Sequence, residues 1–440
     1  MRRFLLFLLL TAALPAATHA QGAQYRATPG TFAITNARVE TVTRGTLERA
    51  TVVIADGRIA AVGAEATVPA GATVIDGTGL TVYPGFIDSG TRLGLIEIGS
   101  VPETSDLQEI GEVKPQMRAL TAVNPASVLI PVTRVAGVTT VLTVPRGGLV
   151  PGTAALIHLH GHTPQQMAAG FEAVQLVFPS TARRGPFDRR EQSAIDRAAR
   201  EAVERLDEVW RQATLYARLD SARATQRGAA GPAFQPEMAA MAGVVRGEQP
   251  LLIEANAASD ITRALEWAAA RRIPRVILTG VAEGWRVADR IAAAGVPVIA
   301  GPVLSLPTRA SDRYDRPFTN VALMRQAGVT VALRTDEAEN VRNLPFHAGF
   351  AVAYGQALGF TQQAALEAVT IVPARLFGLE AELGSVEAGK VANLFLADGD
   401  PFEPRTQIRD LFIGGYRVPL VSRQTELNDE YLRRVPGLQP

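Results

Sequence analysis

The chain has 440 residues, enough for one large domain and a smaller one, and 47% hydrophobic with 20% charged residues excludes a disordered or fibrous chain. A balance of 44 basic against 43 acidic residues excludes a broad electrostatic footprint for nucleic acid or an anionic membrane. Cysteine is absent, which removes disulfides, thiolate metal ligands, cysteine nucleophiles and a lipid-attachment cysteine.

The first twenty residues read as a secretory signal peptide. Arg2 and Arg3 open it, Phe4 to Ala17 form a short apolar run, and Thr18-His19-Ala20 offers a small-residue cleavage site. Its loss changes the balance to 42 basic and 43 acidic residues, a formal net charge of −1. The expected location is therefore across the inner membrane, in the periplasm. No later stretch approaches the roughly 20 apolar residues of a membrane span, so no membrane insertion is expected.

From residue 24 to 84 the signals are strand-like. Phe32-Ala33-Ile34 and Val52-Val53-Ile54 are apolar runs, and Asp56-Gly57 between Ile54 and Ile59 is a two-residue hairpin turn. A second β-rich stretch lies within 383–424, at Ala392 to Leu396 and Asp410 to Arg417. Neither stretch alone covers two faces of a sheet, so the two ends of the chain are expected to join in a small composite β-sandwich. Residues 425–440 form a tail.

Residues 85–382 alternate short apolar runs with helical patterns, the grammar of parallel β/α units. Eight strands are expected, at Val82–Asp88, Val138–Val144, Ala154–Leu159, Ala173–Phe178, Leu251–Ala255, Arg275–Thr279, Val296–Ala300 and Val329–Thr335. Eight is the number that closes a (β/α)8 TIM-like barrel. The link before the third is too short for a helix. An alanine-rich charged segment, Arg183 to about Arg246, reads as an elaborated helical crossover.

Tyr83-Pro84-Gly85-Phe86-Ile87-Asp88-Ser89-Gly90-Thr91-Arg92 resembles the first barrel strand of the amidohydrolase superfamily, where the pattern runs Pro-Gly-Phe/Leu-Ile-Asp-x-His-x-His. Leu383-Gly384-Ser385, followed by Gly389-Lys390-Val391-Ala392-Asn393-Leu394, resembles the family's return into its sandwich, as does Asp398-Gly399-Asp400-Pro401. The chain is most similar to imidazolonepropionase-like and prolidase-like members. The resemblance implies hydrolysis of C–N bonds in small amides or dipeptides at the C-terminal mouth of the barrel. Homo-oligomers are common among such relatives.

At the positions where these relatives hold a divalent metal, the residues differ. The first-strand histidines correspond to Gly90 and Arg92, the fifth-strand histidine to Glu254 or Asn256, and the sixth-strand histidine to Thr279. Only the eighth-strand aspartate is present, as Asp336. The bridging lysine of the fourth strand has Gln175 nearest it, and the two lysines, Lys114 and Lys390, lie elsewhere. No cofactor is expected at the usual site. Candidate catalytic residues are Asp336, Arg92 and Glu254, with Asn256, Thr279, His347 and His160 as substrate contacts, and Arg92 is expected within ion-pair reach of Asp336.

Three readings stay open. His158, His160 and His162 stand at alternate positions and provide a displaced zinc site if the third strand points them to the mouth; otherwise they are a polar strand end. Arg92 serves as a fixed cation in metal-free hydrolysis, or only neutralises Asp336 and Glu254. The third reading is a pseudoenzyme that binds a small molecule or a partner protein.

Overall fold

In this computed structural model the described residues are 26–183, 188–225 and 231–434. The expected signal peptide, residues 1–20, lies outside them. Among the described residues no helix is long and apolar enough to cross a membrane.

The strands before the barrel are β1 (Phe32–Glu40), β2 (Thr46–Ala55), β3 (Arg58–Gly63), β4 (Thr73–Asp76) and β5 (Thr81–Pro84). The barrel strands are β6 (Phe86–Thr91), β7 (Val138–Thr143), β8 (Gly152–His158), β9 (Ala168–Val177), β10 (Leu251–Ala255), β11 (Val276–Gly280), β12 (Val298–Ala300) and β13 (Val331–Leu333). After it come β14 (Leu394–Ala397), β15 (Ile408–Ile413) and β16 (Tyr416–Arg417).

The two chain ends meet in one sheet of order β16-β15-β14-β5-β1-β2-β3, with β4 also paired to β1. The junction is the antiparallel pair β14 and β5, where Leu394 faces Pro84 and Leu396 faces Val82. Phe32, Ile34, Val52, Ile54, Leu394, Leu396 and Phe412 alternate inward from strands of both ends and share one core. The expected hairpin at Asp56-Gly57 joins β2 to β3, with Asp56 at φ 50° and Gly57 at φ 78°, both in the left-handed region that such turns require.

The second sheet runs β6 to β13 in chain order and curls into a barrel. Its seam closes where Asp336 N donates to the Gly90 carbonyl (2.9 Å) and Arg92 N to the Glu337 carbonyl (2.8 Å). One strand departs from the expected parallel arrangement. β8 is antiparallel to both β7 and β9. The reason is chain length: β7 ends at Thr143 and β8 begins at Gly152, too short a link for the dozen or so residues a parallel crossover needs.

The long crossover contains a 34-residue helix, Gln192–Thr225, whose Ile195, Ala199, Ala202, Leu206, Trp210, Ala213 and Ala217 form one buried stripe. Trp210 meets Trp267 edge to face, and Trp267 donates to Asp207 (2.8 Å). This helix is packing surface for the barrel.

Candidate functional site

The C-terminal ends of the barrel strands hold a buried polar cluster. Its centre is Arg334, one residue beyond β13, with a side chain only 3% exposed. Arg334 Nη1 donates to Thr279 Oγ1 (2.7 Å), Nη2 to Glu254 Oε1 (3.4 Å) and Nε to the Gly301 carbonyl (3.3 Å). Nη2 also lies 3.8 Å from Asp336 Oδ2. Burial pulls the Arg334 pKa down, but the carboxylates of Asp336, Glu254 and Asp88 outweigh that and raise it. The guanidinium is therefore a fixed positive charge inside the barrel.

Glycines make room for it. A Cβ on Gly90 would stand 2.9 Å from Arg334 Cδ, so the absence of a side chain at Gly90 leaves the space that Arg334 fills. A Cβ on Gly280, which is at φ 85°, would stand 3.3 Å from Arg334 Nη2 and 2.4 Å from Asn256 Oδ1.

Asp336 takes an ion pair from Arg146, on the loop after β7, as well as the charge of Arg334. Burial would raise its pKa, yet Arg334, Arg146 and Arg92 together hold it below the usual carboxylate range. Its backbone is in the left-handed region, φ 60°. The expected Arg92–Asp336 ion pair is not the one formed. Arg92 Nη2 donates to the Asp336 backbone carbonyl (2.8 Å), and its nearest carboxylate is Glu337 at 3.8 Å. The seam bond from Arg92 N to the Glu337 carbonyl fixes the backbone so that the side chain passes the carbonyl first.

Asp88 is fully buried beneath this layer. It accepts from Gly90 N (3.0 Å), Thr335 Oγ1 (2.6 Å) and Thr335 N (3.2 Å), tying β6 to the segment after β13. Burial pushes it up to about 7 against those bonds and Arg334.

The cluster thus brings together Asp336, Arg92, Glu254 and Thr279, with Asn256 exposed beside Gly280. Gln175 donates to Glu254 Oε2 (3.3 Å), so both oxygens of Glu254 are engaged. His347 is placed differently, buried with its Nδ1 accepting from Val303 N (3.1 Å), where it pins the loop after β12.

The three-histidine zinc site does not form at the mouth. Because β8 runs antiparallel, His158 emerges at the opposite end of the barrel, and its Nδ1 meets Asn393 Nδ2 (3.1 Å) and Thr140 Oγ1 (3.2 Å). His160 lies against Tyr416 instead, its ring centroid 4.8 Å away. Among the described residues no three His, Asp or Glu side chains stand together as a metal-binding group.

Sequence reading missed Arg334 and Arg146. The signal for Arg334 was present: a cation interrupts the apolar run Val331-Ala332-Leu333 at a strand end, while Gly90 vacates the facing position.

Residues 252–420 match the model of the amidohydrolase family. The structure of an amidohydrolase from Thermotoga maritima superposes on it with TM-score 0.76 at 23% identity, covering 89% of this chain and all of that one. Molinate hydrolase gives 0.54 at 17% identity over 89% of this chain and 95% of its own. A zinc-bound adenosine deaminase from Xanthomonas campestris gives 0.52 at 16% over 93% of this chain and 98% of its own. At these identities the likeness establishes the shared amidohydrolase fold. No curated protein sequence matches the chain.

The residues at the mouth of the barrel do not fit a divalent cation. Arg334 donates to Glu254 and Thr279, and its charge lies beside Asp336. A guanidinium has no lone pair to offer and repels a cation.

Proposed function

We propose that this protein is an exported amidohydrolase-fold protein whose barrel mouth binds a small amide or amino-acid-like molecule and has given up metal-dependent hydrolysis. The observation that supports this is Arg334, a buried guanidinium bonded to Thr279 and Glu254, which the resemblance puts at ligand positions. The accessible rim carries both signs of charge: Arg92 and Arg146 are 30% and 36% exposed, Asp336 and Glu337 24% and 42%. Such a rim suits a ligand with a carboxylate at one end and N–H donors at the other. Export rests on the basic start, apolar run and cleavage site of residues 1–20.

Residual metal-free hydrolysis of C–N bonds is the second reading, favoured by the left-handed backbone of Asp336, a conformation that recurs at functional sites. It is the weaker one, because the cations that lower the pKa of Asp336 also make it a poor general base.

Thermal-shift and turnover assays on the mature protein with dipeptides and N-acyl amino acids test both. Saturable stabilisation that weakens in Arg92→Gln and Arg146→Gln, without product, is expected. Turnover that disappears in Asp336→Asn would establish the hydrolase instead. Neither stabilisation nor turnover would remove the small-molecule reading.

A further inference from the structure

At the barrel end opposite Arg334 lies a groove of about 490 Å³ between the barrel and the terminal sheet. That volume is within the range of small-molecule sites, roughly 300–1,000 Å³. Its lining includes Arg134, His160, His162, Tyr416, Pro131 and Arg26, and no Asp or Glu. Ser127, at one edge, is the lining residue that reaches a carboxylate, donating to Glu97 (3.0 Å).

Arg134 carries the argument. Its Nε donates to the Leu159 carbonyl (2.5 Å), which fixes the guanidinium against the groove. Every Asp and Glu of the chain lies among the described residues, and none of them stands within ion-pair distance of Arg134. Burial pulls its pKa down to about 10, so it is charged at neutral pH. Arg134 is half-buried without a counter-charge among the described residues, which is costly, and a ligand that brings a negative charge into the groove would offset that cost.

The adjoining wall is aromatic. Tyr416 is 41% exposed, and His160 is tilted against it with centroids 4.8 Å apart. Burial, then Arg134 and His162, hold His160 down to about 4, so near neutral pH it is an uncharged ring and Arg134 supplies the charge. Flat rings beside one forked cation select a planar anion over a spherical one.

We propose that this groove is a binding site for a small aromatic carboxylate, its anion on Arg134 and its ring against Tyr416 and His160.

Isothermal titration of the mature protein with benzoate tests it, with cyclohexanecarboxylate and inorganic phosphate as competitors. Saturable binding of one benzoate is expected, with both competitors weaker. Arg134→Gln is expected to weaken it about tenfold or more. Tyr416→Ala, at a part-exposed position that does not hold the core, is expected to weaken it several-fold. Arg92→Gln, at the far end of the barrel, is expected to leave it unchanged. Absence of saturable benzoate binding, phosphate competing equally, or sensitivity to Arg92→Gln rather than to Arg134→Gln and Tyr416→Ala would each overturn the assignment.

Discussion

Arg334 is a cation held by groups that are buried with it. Its side chain is 3% exposed, and those of Glu254 and Asp336 are 14% and 24% exposed. Removing one partner of such a set leaves the others uncompensated, at a cost of about 3–5 kcal/mol. Arg334→Met is therefore expected to lower the unfolding free energy by that order, measured by urea denaturation, although methionine fills much of the same space. An unchanged or higher midpoint would mean that Glu254 and Asp336 are not neutralised by Arg334. Asp88 lies at the same seam, and no feature of the sequence run Ile87-Asp88-Ser89 distinguishes a seam carboxylate from a mouth carboxylate. The distinction comes from Thr335, 247 positions away, donating to it.

At the level of elements, periodicity and turn chemistry made most of the fold legible. All eight barrel strands were expected near their observed places, because apolar runs bounded by glycine and proline carry that information locally. The direction of β8 was legible only through the length of the link before it, and the antiparallel run that this length imposes is what takes the histidines away from the mouth. The candidate site was half legible. Asp336, Glu254 and Thr279 followed from the resemblance of their strand ends to the amidohydrolase pattern, whereas Arg334 depends on which side chain fills the space left by Gly90, and Arg146 on a loop that reaches Asp336. The helix Gln192–Thr225 offers a test at this scale. Leu206 is 1% exposed and Leu215 is 59% exposed on the same helix. Leu206→Ala is expected to cost about 2–5 kcal/mol and Leu215→Ala close to nothing, by the same denaturation measurement. Equal effects would contradict the packing face assigned to the helix.

For the whole molecule, the two chain ends form one sheet and the barrel hangs between them, so stability is shared. Between pH 4 and 6.5 its pH dependence follows from four groups, His347 and Asp88 buried and His158 and His160 partly buried. His158, His160 and His347 are held down to about 4, His158 and His347 by burial alone and His160 also by Arg134 and His162. The unfolded chain then binds more protons on them between about 4 and 6.5, so their share of stability is full above that window and lost as pH falls through it. Asp88, raised to about 7 by burial, acts with the opposite sign: its share is present near pH 4 and lost as pH rises to 7. Three groups against one predict stability that rises from pH 4 to 6.5. Urea midpoints across that range are expected to rise less steeply in His347→Asn and more steeply in Asp88→Asn. A flat profile in the parent protein would contradict the burial of the histidines.

The guanidinium of Arg334 fills the centre of the polar cluster at the barrel mouth and leaves no place there for a metal ion. Elemental mass spectrometry tests it most directly, on mature protein incubated with zinc and manganese and then desalted. Far less than one retained ion per chain is expected. One or more tightly held ions per chain would contradict it.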